Sequence, residues 1–294
     1  MSKISKLGLG IIAFEGPEHI KSIAYELRDV TDFIVICLQK TSYHGDPIKE
    51  DDVQEIESLK DLNLIDEIIW FEPTDFHTNI DPKTAPRLIE ADKRNFILDY
   101  LEQVQQCSHS LVIDSDEFYD HDDFINAKEF ISNDESVHVT YCQYINYYRD
   151  YKHLLVWPYL CYVPFITESN YRFNFNDRSF VYPSDPTRRY HIEMTKGNKY
   201  HILPFKLVKM HHLSWIRRDI AHKIDSWSSK KIFENVQGLR DAILERYYNY
   251  VDGQNAIITF NVPFFQVAVN SLKKQYIHPK YGLDDNPEKY TLKK

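Results

Sequence analysis

The chain is short of positive charge, of cysteine and of uninterrupted apolar sequence. Its 35 Lys and Arg face 44 Asp and Glu, a net charge of -9. That excludes a surface built mainly to coat nucleic acid, because phosphate binding needs a concentrated positive field. The four cysteines (Cys37, Cys107, Cys142, Cys161) are widely spaced and form no Cys-x-x-Cys pair, so buried free thiols are expected rather than a zinc site or a disulfide framework. The longest nearly apolar run, LLVWPYLCYVPFI from Leu154, has thirteen residues, two of them proline. A bilayer span needs about 20, so this run reads as buried strands around a turn. Near the start, LGLGIIAFEG reaches Glu15 without a small-residue cleavage signal, and a cytoplasmic protein without a secretory leader is expected. Repeats, low-complexity segments and long linkers are missing too. One domain over residues 1–282 and a loose tail over 283–294 are therefore expected.

Over the first 120 residues there is instead a regular alternation. GLGIIAF, DFIVICL, DEIIWFE and HSLVIDSDE are apolar strands. Between them fall a helix opened by Gly16 and Pro17, with Ile20, Ile23, Ala24 and Leu27 at helical spacing, a helix near 50–60, and a helix over about 88–105. The apolar stripe of the last is Ile97, Leu98, Leu101 and Val104. Continuously apolar strands alternating with helices predict a parallel sheet covered on both faces. From about 136 the pattern changes: SVHVTYCQYINYY alternates as a half-buried strand, and the stretch after it is crowded with aromatic residues, Pro and Asn. The expected fold class is α/β, with a ligand-binding half over about 1–120 and a mixed, aromatic-rich half over about 121–282.

The main chemical signal is SLVIDSDEFYDHDDF, residues 110–124, where Leu111, Val112 and Ile113 give way to Asp114, Asp116 and Glu117. Carboxylates this close repel and raise one another's pKa unless a cation sits among them, and a hard divalent metal is the obvious candidate. Parallel sheets bind ligands beyond the carboxyl ends of their strands, which is where this corner falls. A second triplet, Asp120-His121-Asp122, lies in a polar turn before a helix and reads as turn and cap residues.

Other residues converge on the same chemistry. The helical stripe, extended one turn back, puts Arg94 on the buried side. It either pairs with Glu90 or Asp92 or points, with Lys93, toward a phosphate-bearing ligand. In KMHHLSWIRRD a strand sends His211 and His212 to opposite faces, so at most one can serve the acid corner. An imidazole beside two carboxylates tilts the choice of cation from Mg toward Mn. Arg217, Arg218 and Lys223 stand close behind the pair and either form a solvated helix face or supply charge for a diphosphate. Tyr147, Tyr148, Tyr151, Trp157, Tyr159 and Tyr162 are either core or a stacking platform for sugar rings or bases.

EADKRNFILDYLEQ…SLVIDSDEF, followed about a hundred residues later by HHLSWIRRD, resembles the GT-A-type nucleotide-diphospho-sugar glycosyltransferases, in particular the family-2-like group. The likeness spans roughly residues 8–225, and the two motif regions are its specific part. It implies a GT-A-type, Rossmann-like single domain with a mostly parallel central sheet and an acceptor half, moving a sugar from a nucleotide-diphosphate sugar to an acceptor hydroxyl. It further implies that Asp116 binds Mn or Mg directly, that Asp114 reaches the ribose or a metal-bound water, and that His212, rather than His211, is the third protein ligand. Lys93, Arg94 and Ser115 would lie along the nucleotide-sugar. Many members carry an Asp after the second strand to hold the base, where this chain reads CLQKTSYHGD; a UDP-sugar is the first donor expected.

The expected acceptor is a glycan or another hydroxyl compound. Few Gly with many Tyr, Asn, Lys and Ile, as in AT-rich, phage-like genomes, adds a modified DNA base as a lesser expectation, against the acidic charge. Inversion at the sugar would need a carboxylate base; Glu168, Asp177, Asp185 and Glu193 are candidates and none is assigned. Two other classes compete. A metal-dependent nucleotidyltransferase or phosphohydrolase usually needs more acidic or His ligands over several strand ends, and a non-catalytic nucleotide- or sugar-binding module would need no chemistry at all.

Overall fold

Every residue of the first strand, β1 (Leu7–Ile12), is buried, as its unbroken apolar run requires. The structure, a computed structural model, describes residues 3–14, 17–42, 44–74, 84–156, 162–174, 184, 186–190, 200–226, 238–251 and 270–273. After β1 come α1 (Ile20–Leu27), β2 (Phe33–Gln39), α2 (Glu50–Asp61), β3 (Glu67–Phe71), α3 (Ala85–Asp99) and β4 (His109–Asp114). The four strands lie in the order β3-β2-β1-β4, all parallel. The expected stripe of α1 is buried in full, and α2 buries Val53, Ile56 and Leu59.

Two of the eight glycines explain how α3 seats on this sheet. A Cβ on Gly10 would lie 2.2 Å from Cγ2 of Ile97, and one on Gly8 would lie 2.7 Å from Cδ2 of Leu101. Only a bare backbone admits the helix so closely. The helix itself departs from expectation at both ends. It begins at Ala85 with Pro86 in its first turn, where the missing N–H costs nothing. Beyond Asp99 it widens into a π-helical turn, Tyr100–Val104, closed by the Gln105 N–H on the Tyr100 carbonyl at 3.1 Å. The wider turn breaks the 3.6-residue register, so Ile97, Leu98 and Leu101 stay buried while Val104 is 61% exposed.

The second half holds β5 (Glu117–Phe118), α4 (His121–Ser132), β6 (Val139–Tyr148), β7 (Asp150–Val156), β8 (Tyr162–Glu168), β9 (Tyr200–Ile202), β10 (Lys209–Trp215), α5 (Ile220–Ser226), α6 (Leu239–Tyr248) and β11 (Asn270–Lys273). Strand β8 runs antiparallel to both β4 and β6, so the parallel half continues into the mixed half as one sheet. Strand β6 was expected to be half-buried. Paired to β7, β8, β9 and β10, it is instead covered along most of its length. Strand β10 runs parallel to β6 and antiparallel to β5, setting His211 opposite Phe118 and His212 opposite Glu117.

The molecule is thus mixed α/β, with the two halves sharing a sheet. Among the described residues no helix is long and apolar enough to cross a membrane. Cys37, Cys107 and Cys142 are free and buried. The tail over 283–294, Trp157, Tyr159 and Cys161 lie outside the described residues.

Candidate functional site

The strand order sets the carboxylates at the sheet's switch point. Successive connections carry the chain from β1 outward to β2 and β3, then back across to β4 on the other side of β1. Such a reversal leaves a gap beyond the carboxyl ends of the two central strands, the usual ligand position in open α/β sheets. Asp114 ends β4 opposite Ile12, the last residue of β1. The Ser115 N–H then donates to the Ile12 carbonyl at 3.0 Å, and the Leu213 N–H of β10 donates to the Asp116 carbonyl at 2.8 Å. These bonds turn the chain sharply and clamp Asp116 between β4 and β10.

Each carboxylate of the corner meets a guanidinium. Asp114 accepts from Arg94 at 2.8 Å through Oδ1 and from Arg188 through Oδ2. Arg94, wholly buried, also donates to Glu90 at 2.9 Å. Arg188 pairs with Glu117 as well, and Glu117 accepts the Asp114 N–H at 3.1 Å. Asp116, only 3% exposed, accepts from Arg217 through Oδ2, with Lys223 Nζ 3.9 Å from the same oxygen. The crowding that called for a divalent metal is therefore already compensated by internal arginines, and carboxylate repulsion alone no longer argues for an ion.

The ionisation states reflect these contacts. Burial works against the charge of Asp116, yet Arg217, and beside it Lys223, hold its carboxyl well below the usual range. Asp114 is likewise held low, Arg188 and Arg94 outweighing burial. Burial pushes Glu117 up to about 7, although Arg188 pulls the other way. His212 is lowered to about 4 by burial, against the pull of Asp116.

The two histidines of the HH pair separate as strand geometry requires. His211 is fully buried and shares a 2.8 Å hydrogen bond with the Tyr147 hydroxyl, the rings stacked at 5.8 Å. His212 turns to the corner, with Nε2 3.6 Å from Asp116 Oδ1. Its Nδ1 donates to Asn146 Oδ1 at 2.6 Å. That bond fixes the tautomer and leaves the Nε2 lone pair facing a carboxylate oxygen. Two acceptor atoms across such a gap suit a cation between them, since ligand distances of about 2.0–2.1 Å for Mg can span it. Among the described residues no three His, Cys, Asp or Glu side chains gather to hold an ion unaided. Asp116 and His212 could hold a divalent cation only if water and phosphate oxygens supplied the remaining ligands, and the imidazole suits Mn better than Mg.

The other expected residues divide. Lys93 is buried and donates to the Ala13 carbonyl at 2.9 Å, just past β1. Arg94 takes the ion-pair alternative, with Glu90 and Asp114 as partners and not Asp92. Ser115 is buried in the turn. Glu168 is paired in register with His109, the first residue of β4, roughly 16 Å from Asp114 at about 3.3 Å per residue. There His138 and Lys3 hold it at 2.9 and 3.4 Å, so it cannot serve as a base in the crevice. Asp177, Asp185 and Glu193 lie outside the described residues. Tyr147, Tyr148 and Tyr162 are buried and belong to the core.

Two participants are not signalled by local sequence pattern. Arg188 arrives from a short 3-10 turn (Pro186–Arg188) packed against α3, where Thr187 donates to Glu90 at 3.0 Å; the turn chemistry of SDPTRRY is the sole hint. Asn146 interrupts an otherwise aromatic alternation in CQYINYY.

Beyond Asp116 lies a cavity of about 170 Å³ whose lining includes Glu18, Lys49, Asp52, Arg217, Arg218 and Lys223. Arg217 and Lys223 thus stand between the carboxylate and this space. No family model matches the chain, and no curated protein matches it.

Proposed function

We propose that this chain is a metal-dependent glycosyltransferase that moves a sugar from a nucleotide-diphosphate sugar, first of all a UDP-sugar, to an acceptor hydroxyl. The observation that carries this reading is the opposed pair Asp116 Oδ1 and His212 Nε2, 3.6 Å apart at the sheet's switch point. Together they would hold Mn or Mg, and such an ion supplies charge stabilisation for a departing diphosphate. Lys223 and Arg217 flank the same carboxylate and can donate to phosphate oxygens whose charge grows as the sugar leaves. Asn146 holds the His212 ring in the orientation this needs. Arg94 and Arg188 fix Asp114 at the crevice rim, where a quarter of its side chain remains exposed to a ribose or a bound water.

The same reading makes the fold a GT-A-type domain and the mixed half the acceptor side, with a glycan as the expected acceptor and a modified DNA base as the lesser one. A two-metal phosphohydrolase is less well supported. It would need acids from several strand ends, and here Asp114, Asp116 and Glu117 all come from the single turn between β4 and β5.

A thermal-shift panel of nucleotide sugars, each with and without Mn, tests the proposal. One donor should raise the melting temperature only when Mn is present. Stabilisation by none of them, or by a nucleotide regardless of metal, would remove the glycosyltransferase reading.

A further inference from the structure

Arg217 stands between two sites of opposite need. Its guanidinium, 4% exposed, is bonded to Asp116 Oδ2, while the other oxygen of that carboxylate faces His212 at 3.6 Å. The same side chain lines the cavity of about 170 Å³, where Lys49, Arg218 and Lys223 join it and Glu18, Asp52 and Asp219 also stand in the wall. That volume falls below the roughly 300–1,000 Å³ that encloses a whole drug-sized ligand, and with four basic side chains against three acidic ones it carries a single positive charge in excess, room for one small anionic group.

We infer that Arg217 is a built-in counter-ion that keeps a bare divalent cation away from Asp116 and thereby makes the cation and a diphosphate bind together. The inference rests on the reading of the corner as a metal and diphosphate site. With Arg217 in place, Asp116 is already neutralised, so an added dication brings two positive charges to a carboxylate with none to offset them. A diphosphate reverses the sign. Its oxygens bring negative charge to the cavity side of Arg217 and compete with Asp116 for the guanidinium, which relieves the repulsion and frees Asp116 for the metal. By linkage, whatever factor the diphosphate adds to metal affinity, the metal adds to diphosphate affinity. Arg188 differs: it bridges Asp114 and Glu117, two carboxylates, and has charge to spare for neither.

The test measures Mn binding by the spin-resonance signal of free Mn, with Mn alone and with UDP as the diphosphate probe, in the unaltered protein, Arg217→Gln and Arg217→Lys. The unaltered protein should bind Mn at least about tenfold more tightly with UDP than without, within the usual range of coupling. Arg217→Gln should bind bare Mn about tenfold more tightly than the unaltered protein and show little further gain from UDP. Arg217→Lys retains the charge, so it should exclude bare Mn as the parent does while losing part of the UDP coupling with the fork. It carries the test alone if the Gln variant does not fold. The inference is overturned if Arg217→Gln, folded, binds bare Mn no more tightly than the parent, or if Arg217→Lys binds it as tightly as the Mn–UDP pair. Tight Mn binding in the parent with no UDP effect overturns it while leaving the metal site standing; no Mn binding under any condition brings down the site and the inference together.

Discussion

Asp114-Ser115-Asp116 and Asp120-His121-Asp122 have the same spacing and lie six residues apart in one chain, yet they do different things. The first closes a buried parallel strand at the switch point, and each of its carboxylates is bonded to at least one arginine. The second starts α4: Asp120 accepts the N–H groups of Asp122 and Asp123 at 3.1 and 3.2 Å, and Asp122 is exposed. Spacing therefore assigns nothing by itself. Surroundings do, because a carboxylate taken out of water must find a compensating charge, whereas one at a helix N-terminus needs only the free N–H groups.

The comparison can be broken most directly through stability. Asp114→Ala removes the shared partner of Arg94 and Arg188, and about 3–5 kcal/mol should be lost in urea unfolding, the usual cost of stranding one side of a buried ion pair. Because Arg217 would be stranded in the same way, Asp116→Asn should destabilise too.

The histidines beside the two triplets should separate next. His212 is lowered to about 4 mainly by burial. For His121, burial acts downward but hydrogen bonds to Asp29 and Asp122 prevail and raise it. The unfolded chain titrates near 6.5. Stability owed to neutral His212 is present above that pH and is lost as pH falls from about 6.5 toward 4, where the unfolded chain binds the extra proton. The contribution of His121 has the opposite sign: it is present below about 6.5 and is lost as pH rises through its raised value. Ring resonances followed by NMR should show His121 charging first on acidification; the reverse order would contradict the assigned environments.

At the second triplet, Asp120→Ala should cost about 1 kcal/mol, a lost helix cap. Asp122→Asn should stay within about 0.5 kcal/mol. A loss at Asp122 comparable to that at Asp114 would erase the distinction between the two triplets.

Much of this could be read from residues alone because a parallel sheet buried on both faces writes its strands as unbroken apolar runs, and Leu7–Ile12, Phe33–Gln39 and His109–Asp114 do so. The π-helical turn that exposes Val104 could not be read, since nothing in YLEQV marks a change of period. In the candidate site, the corner of Asp114 and Asp116 was legible through local pattern, as was the rule that only one of His211 and His212 can face it. The compensation of those carboxylates was not. Arg188 and Arg217 stand 74 and 101 residues away from the aspartates they bind, and only the folded sheet shows which of many basic residues arrives. Glu168 failed for the complementary reason: an acid in a plausible half of the chain was brought to the wrong end of β4 by antiparallel pairing.

Titrating Mn in the presence of UDP against His212→Ala and His211→Ala decides whether the corner is a metal site. The His212 variant should need at least about tenfold more Mn, with the loss partly recovered at high Mn by mass action. The His211 variant should keep the parent's Mn affinity and lose stability instead, since its ring is buried against Tyr147. Equal Mn dependence in the two variants, or a shift confined to His211→Ala, would contradict the assignment of Asp116 and His212 as the pair that holds the cation.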